Sequence, residues 1–129
     1  MPDRSSDWFE QSLKDLEQAR PACENGRHEW ACFASQQAAE KAVKALHIAS
    51  AQWAEGGMVA DLLRDLPKMV SVPQDMVEKA KILDNYYIPT RYPNSHPHGA
   101  PFERYGPAQS KQAVEYAHQI LKFVRSQMA

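Results

Sequence analysis

HEWACFASQQAAEKAVKALHIAS, running from His28 to Ser50, contains neither glycine nor proline, and alanine, glutamine, glutamate and lysine dominate it. Such residues lose little side-chain freedom on forming a helix, so the stretch predicts one long, uninterrupted helix. Ala34, Ala38, Ala42, Ala45 and Ala49 fall on one strip of it. Small side chains at that spacing let neighbouring backbones come close, which makes this the expected central helix, with Trp30, Phe33 and Leu46 filling space beside the strip. Gln36, Gln37, Glu40, Lys41 and Lys44 form a polar face. It is open to two readings: simple solvent exposure, or a surface organised by the i, i+4 pair of Glu40 with Lys44.

Working outward, the preceding segment SSDWFEQSLKDLEQA carries Phe9, Leu13 and Leu16 at helical spacing. Ser6 is the expected cap, Asp7 and Glu10 suit the positive N-terminal end, and Asn25-Gly26 supplies a turn. Beyond the central stretch, Gly56-Gly57 marks a loop. Val59, Leu62, Leu63 and Leu66 then predict a short amphipathic helix ending near Pro67, with Asp61, Arg64 and Asp65 on its charged face. A fourth helix is expected from about Pro73 to Tyr86, with Met76, Ala80 and Leu83 inward. The last is expected from Pro107 to Ser126, burying Val114, Ala117, Ile120, Leu121 and Val124. Between them, Ile88 to Gly106 holds four prolines and two glycines, which predicts a long irregular connection. Strand patterning is absent. The expected fold is all-α: an up-and-down four-helix bundle with an extra short helix and a long Pro-rich loop before the last helix.

The totals fit a single domain. The 129 residues suffice to bury a continuous core, and 43% apolar with 24% charged residues is an ordinary globular balance. A formal net charge of -1 gives no global positive field, so any RNA binding needs a local patch. Cys23 and Cys32 are spaced neither as a redox pair nor as repeated zinc ligands, and two free thiols in a reducing cytoplasm are expected. No apolar run approaches membrane-spanning length and the N-terminus lacks a signal peptide's apolar stretch, so a cytoplasmic location with no membrane partner is expected.

The loop stretch RYPNSHPH, Arg91 to His98, carries the chemistry-bearing residues. Arginine offers a permanently charged fork for phosphate oxygens, and histidine exchanges protons near neutral pH. Arg91 and His96 are therefore the candidate pair for attack of an RNA 2'-hydroxyl on its neighbouring phosphate, with His96 moving protons and Arg91 stabilising charge. The structural alternative is that Arg91 pairs with Asp84 and pins the loop, leaving His96 and His98 solvated. The two histidines alternate across an extended segment with no Cys or carboxylate cluster nearby, so neither a metal nor a cofactor is expected. Tyr86, Tyr87, Tyr92, Phe102 and Tyr105 surround the loop, as base-stacking platforms or as loop anchors.

Taken together, FASQQAAEKAVKAL, VADLLRDLP, LDNYYIPTRYPN and AVEYAHQILKFV resemble, in order and spacing, the HEPN (higher eukaryote and prokaryote nucleotide-binding) family, and within it the stand-alone RYP-type members and the C-terminal domain of sacsin. The resemblance covers about Trp8 to Val124. It implies a homodimeric bundle whose pre-terminal loop helps to form a cleft for nucleotide, and exposed aromatics such as Trp53 fit a partner surface. By the same resemblance Arg91 would hold phosphate, Tyr92 or Tyr87 would contact a base, and Lys41 or Lys44 would add charge. Stand-alone members are often encoded beside a minimal nucleotidyltransferase, which makes such a protein an expected partner and a protein-interaction module a further reading. Other branches are metal-independent ribonucleases, some of them toxins of toxin-antitoxin pairs, using an Arg-x4-6-His motif that Arg91 and His96 match. In those branches Asn, Asp or His commonly follows the arginine, where this chain has Tyr92. Nucleotide-silenced toxins have a tyrosine where this chain has His98, and a histidine common before the short helix is replaced here by the run Gly56-Gly57-Met58-Val59.

Overall fold

Five α-helices account for the chain in a computed structural model that describes residues 3–53 and 55–128: α1 (Ser5–Glu24), α2 (His28–Ala49), α3 (Val59–Arg64), α4 (Gln74–Asp84) and α5 (Pro107–Met128). No strand occurs among the described residues, so the expected all-α bundle with one short extra helix is what the chain forms. The helices begin and end close to the expected positions, with α4 stopping at Asp84 and α5 continuing to Met128. Among the described residues no helix is long and apolar enough to cross a membrane.

The N-terminus of α1 differs from expectation in its chemistry. Ser6 caps nothing; instead the Asp3 carboxylate accepts the Ser5 backbone N–H at 2.6 Å, one of the donors a helix start leaves unpaired. That hydrogen bond holds the Asp3 carboxyl below its ordinary value. Gly26, at φ +77°, turns the chain into α2.

α2 packs against all four other helices. Its alanines explain how: Ala31, Ala38, Ala39, Ala42 and Ala45 are fully buried, so four neighbours approach one axis closely. The expected strip is shifted at its ends, because Ala34 is only half-buried and Ala49 is exposed. Around that axis Val43, Val59, Leu63, Leu83, Ile120 and Val124 are almost fully withdrawn from water, each burial contributing about 1.5–3 kcal/mol of gross hydrophobic stabilisation. The inward positions expected for α5 are all buried.

The polar face of α2 is not simply solvated. Gln36 is fully buried; its Nε2 donates to Glu40 at 3.1 Å and to the Gly57 carbonyl at 3.3 Å, while its Oε1 accepts from Gln37. A buried amide needs such partners, and this one ties the loop before α3 to the central helix. Glu40 pairs with Lys44 at 2.9 Å, as the spacing suggested, and Lys41 reaches Asp15 of α1 at 2.7 Å.

Asp84, at the C-terminal end of α4, spans back to α3. Its two carboxylate oxygens accept the backbone N–H groups of Val59, at 2.6 Å, and Ala60, at 3.1 Å. The expected Arg91–Asp84 ion pair is therefore not formed: Asp84 supports the fold by capping α3, because its oxygens point back into the bundle. Burial raises the Asp84 carboxyl above its ordinary value, against the lowering effect of those two amides.

Candidate functional site

The loop after α4 is more ordered than its proline content suggests. Tyr86 is buried, with its ring edge-on to Tyr105, and the Thr90 hydroxyl donates to the Tyr86 carbonyl at 2.7 Å. The prolines do not prevent local order, since short 3-10 turns form at Pro93–Ser95 and Pro101–Glu103.

Arg91 follows this anchored base directly. Its Nε donates to the Tyr87 carbonyl at 2.9 Å, which fixes the plane of the guanidinium. The guanidinium carbon lies 4.4 Å from the Phe33 ring centre, 4.8 Å from Tyr87 and 5.2 Å from Tyr92. All three lie within cation–π range, so rings from α2 and from both sides of the loop hold the charge in place. Among the described residues no carboxylate pairs with Arg91, and its terminal nitrogens keep their donors for a ligand.

Phe33 belongs at the same time to a groove of about 330 Å³ between α1 and α2, lined by Asp15, Gln18, Trp30, Phe33, Gln37 and Lys41 among others. That volume lies at the lower end of the range for small-molecule sites. Trp30, expected to fill space beside the alanine strip, is instead 47% exposed and meets Phe33 edge-on. A comparable groove on α1, lined by Glu10, Leu13, Lys14, Leu16, Glu17 and Arg20, contains no aromatic ring. The Trp30–Phe33–Arg91 arrangement thus combines a stacking surface with an unpaired, oriented cation.

The other expected site residues are distributed unevenly. Tyr87 and Tyr92 flank Arg91 and are partly exposed. Lys41 lines the groove, with its charge met by Asp15. Lys44 does not line it: Nζ is bound to Glu40 and lies over the Trp8 ring, which in turn meets the exposed Trp53 edge-on. Phe102 is exposed, while Tyr105 packs against Tyr86 and His96.

His96 is engaged in the loop rather than solvated. Its Nε2 lies 2.6 Å from the Pro89 carbonyl, and because a carbonyl only accepts, Nε2 carries the hydrogen. The ring meets Tyr105 edge-on, so only Nδ1 is left to exchange a proton. His98 is tied to Arg104, which donates to its backbone carbonyl, and lies on the exposed side of the loop. Among the described residues no group of three or more His, Cys, Asp or Glu side chains is arranged to hold a metal ion. Two site residues escaped the sequence reading as ligand-facing groups: Phe33, the nearest ring to Arg91, and Trp30. A tryptophan and a phenylalanine three residues apart on a helix otherwise lined with alanine were the available signal.

No curated protein matches the chain. Among solved structures, TT1696 from Thermus thermophilus is similar at 48% identity over 98% of this chain and 99% of its own, with a TM-score of 0.95. ST0689, an archaeal HEPN homologue, matches at 38% identity over 100% of both chains with a TM-score of 0.84. TM0613, an HEPN domain protein from Thermotoga maritima, matches at 34% identity over 93% of this chain and 95% of its own, with a TM-score of 0.75. The model of the HEPN domain matches residues 5–127, and the chain belongs to the HEPN family.

Proposed function

We propose that the protein binds a nucleotide, with Arg91 taking the phosphates and the rings around it taking the base, and that it does so as a homodimer. The observation that carries this reading is the Arg91 guanidinium, held by three rings and by the Tyr87 carbonyl, unpaired with any carboxylate among the described residues. An arginine kept in place without a counter-charge is pre-organised for an anion, and a phosphate accepts its planar fork in two parallel hydrogen bonds. Trp30 and Phe33 offer aromatic faces in the adjoining groove, where a base stacks without needing a specific hydrogen-bond pattern. Trp30, Tyr87, Ile88 and Tyr92 are exposed at the rim of this site, where a second copy of the chain could pack beside a bound nucleotide.

Nucleotide at about ten times its Kd stabilises the folded state by about 1.4 kcal/mol, a melting-temperature rise of a few degrees. The expected result is such a rise with ATP or GTP in the wild type and none in Arg91→Ala. No shift at millimolar nucleotide in the wild type sinks the reading.

A metal-independent ribonuclease using Arg91 and His96 has weaker support, since Nε2 of His96 is committed to the Pro89 carbonyl. Its one favourable observation is the remaining Nδ1. Cleavage of RNA by the wild type, lost in His96→Ala, would put it ahead of nucleotide binding.

A further inference from the structure

Away from Arg91 and the groove beside Phe33, three side chains from three helices converge where α1 turns into α2 beside the start of α5. Cys23 Sγ lies 3.1 Å from Ser110 Oγ, and Ser110 Oγ lies 2.7 Å from Nδ1 of His28. Ser110 is fully buried, and its third neighbour, the Pro107 carbonyl, is farther off at 3.3 Å. A hydroxyl has one hydrogen to donate, and the closer imidazole nitrogen is the better acceptor for it. The oxygen is then left to accept from the thiol. With His28 in the tautomer that leaves Nδ1 unprotonated, the contacts form one chain from sulfur to hydroxyl to imidazole, which is the order a proton needs to leave the thiol.

Cys23 also lines an open groove of about 310 Å³, together with Arg20, Glu24, Lys111, Val114 and Glu115. Among the described residues neither Arg20 nor Lys111 is in an ion pair. A half-buried cysteine thus shares this groove with two unpaired cations and two carboxylates. The second cysteine makes a contrast within the same chain: Cys32 is fully buried, and burial pushes its thiol up to about 12. Only a thiolate attacks a disulfide, so Cys32 is inert.

We propose that Cys23 is a modification site that takes up a peptide thiol from a low-molecular-weight disulfide bearing carboxylates and an ammonium group. The Cys23 proton passes to Ser110 Oγ as the Ser110 proton passes to His28 Nδ1. The thiolate sulfur bonds to one sulfur of the incoming disulfide, whose own S–S bond breaks. The departing thiolate, in the open groove, takes a proton from water, and the His28 imidazolium releases to solvent the proton it received. One disulfide is consumed, and one mixed disulfide and one free thiol are formed. Arg20 and Lys111 receive the peptide carboxylates, while Glu24 and Glu115 face its ammonium. This site shares no residue with the nucleotide groove and stands independently of it.

The test is to incubate the intact chain with oxidised glutathione or, separately, with the uncharged bis(2-hydroxyethyl) disulfide, following adducts by intact mass and peptide mapping. Glutathione is expected on Cys23 and not on Cys32. Ser110→Ala and His28→Gln are each expected to slow both reagents by about tenfold or more, the scale of a lost proton acceptor. His28→Gln changes a half-buried side chain, so it reads the relay even if Ser110→Ala folds poorly. The double variant Arg20→Ala/Lys111→Ala is expected to slow glutathione several-fold more than it slows the uncharged reagent. Wild-type rates in His28→Gln, or no adduct on Cys23 from either reagent, would overturn the site. Equal effects of the double variant on both reagents would overturn the charged-peptide specificity.

Discussion

Replacing Arg91 by lysine keeps the positive charge and removes the geometry, so it asks whether the arginine is held by the fold before any ligand arrives. Lysine has no equivalent of the Nε donor that meets the Tyr87 carbonyl at 2.9 Å. That bond, from a charged group at a half-buried site, is worth about 1–2 kcal/mol. Stacking on Phe33, Tyr87 and Tyr92, at 4.4, 4.8 and 5.2 Å, adds about 0.5–1 kcal/mol per ring at sites of this exposure, part of which an ammonium retains. Arg91→Lys is therefore expected to cost about 1–2 kcal/mol of stability and Arg91→Ala about 2.5–5 kcal/mol. Urea denaturation followed by circular dichroism at one protein concentration measures both, with an unchanged slope confirming that only stability moved. A double-mutant cycle with Phe33→Leu should return a coupling of about 0.5–1 kcal/mol. If both Arg91 variants unfold within about 0.3 kcal/mol of the wild type, the guanidinium is not pre-organised and the reasoning behind the site fails.

Three further outcomes follow from the bundle itself. Asp84 binds its proton more tightly folded than unfolded, so its contribution to stability falls as pH rises through the window just above the ordinary aspartate value. Asp84→Asn cannot ionise and should flatten the stability–pH profile there; an unchanged profile contradicts the burial argument. Ala51 ends α2 at φ 59°, with Ala51 N–H on Ile48 and Gln52 N–H on His47, the turn that glycine suits best. Ala51→Gly should raise stability by about 0.5–1 kcal/mol in a thermal melt. Gln36→Leu leaves the Gly57 carbonyl without its side-chain donor and should cost about 1–3 kcal/mol, with faster hydrogen exchange in α3 as the local readout.

The helices were legible because their signals are local. Alanine spacing in α2 and the apolar stripe of α5 are written into consecutive residues, and both helices form nearly where those patterns begin and end. What escaped depends on partners distant in sequence. Gln36 reads as a surface residue until Gly57, 21 positions later, brings its carbonyl over it. Asp84 reads as a partner for nearby Arg91, yet its partners lie 25 and 24 positions earlier at the start of α3.

The candidate site divides along the same line. Tyr87, Arg91 and Tyr92 are sequence neighbours and could be grouped from the loop alone, whereas Phe33, with Trp30 beside it, meets the arginine only because the loop folds back on α2. Lys41 and Lys44 are three residues apart on one face, but Asp15 keeps the first at the groove and Glu40 holds the second against Trp8. Charge partners, not helical phase, decided between them. His96 matched a motif by spacing, and the Pro89 carbonyl gives it a structural occupation that spacing cannot reveal.

Calorimetric titration of ATP into the wild type and into Arg91→Ala, with adenosine as the ligand that lacks phosphate, tests the central claim most directly. Saturable binding of ATP at or below about 1 mM in the wild type is expected, with a loss of at least about tenfold in affinity both for adenosine and for Arg91→Ala. Equal affinity of the two proteins for ATP, or no saturable heat in the wild type at that concentration, contradicts it.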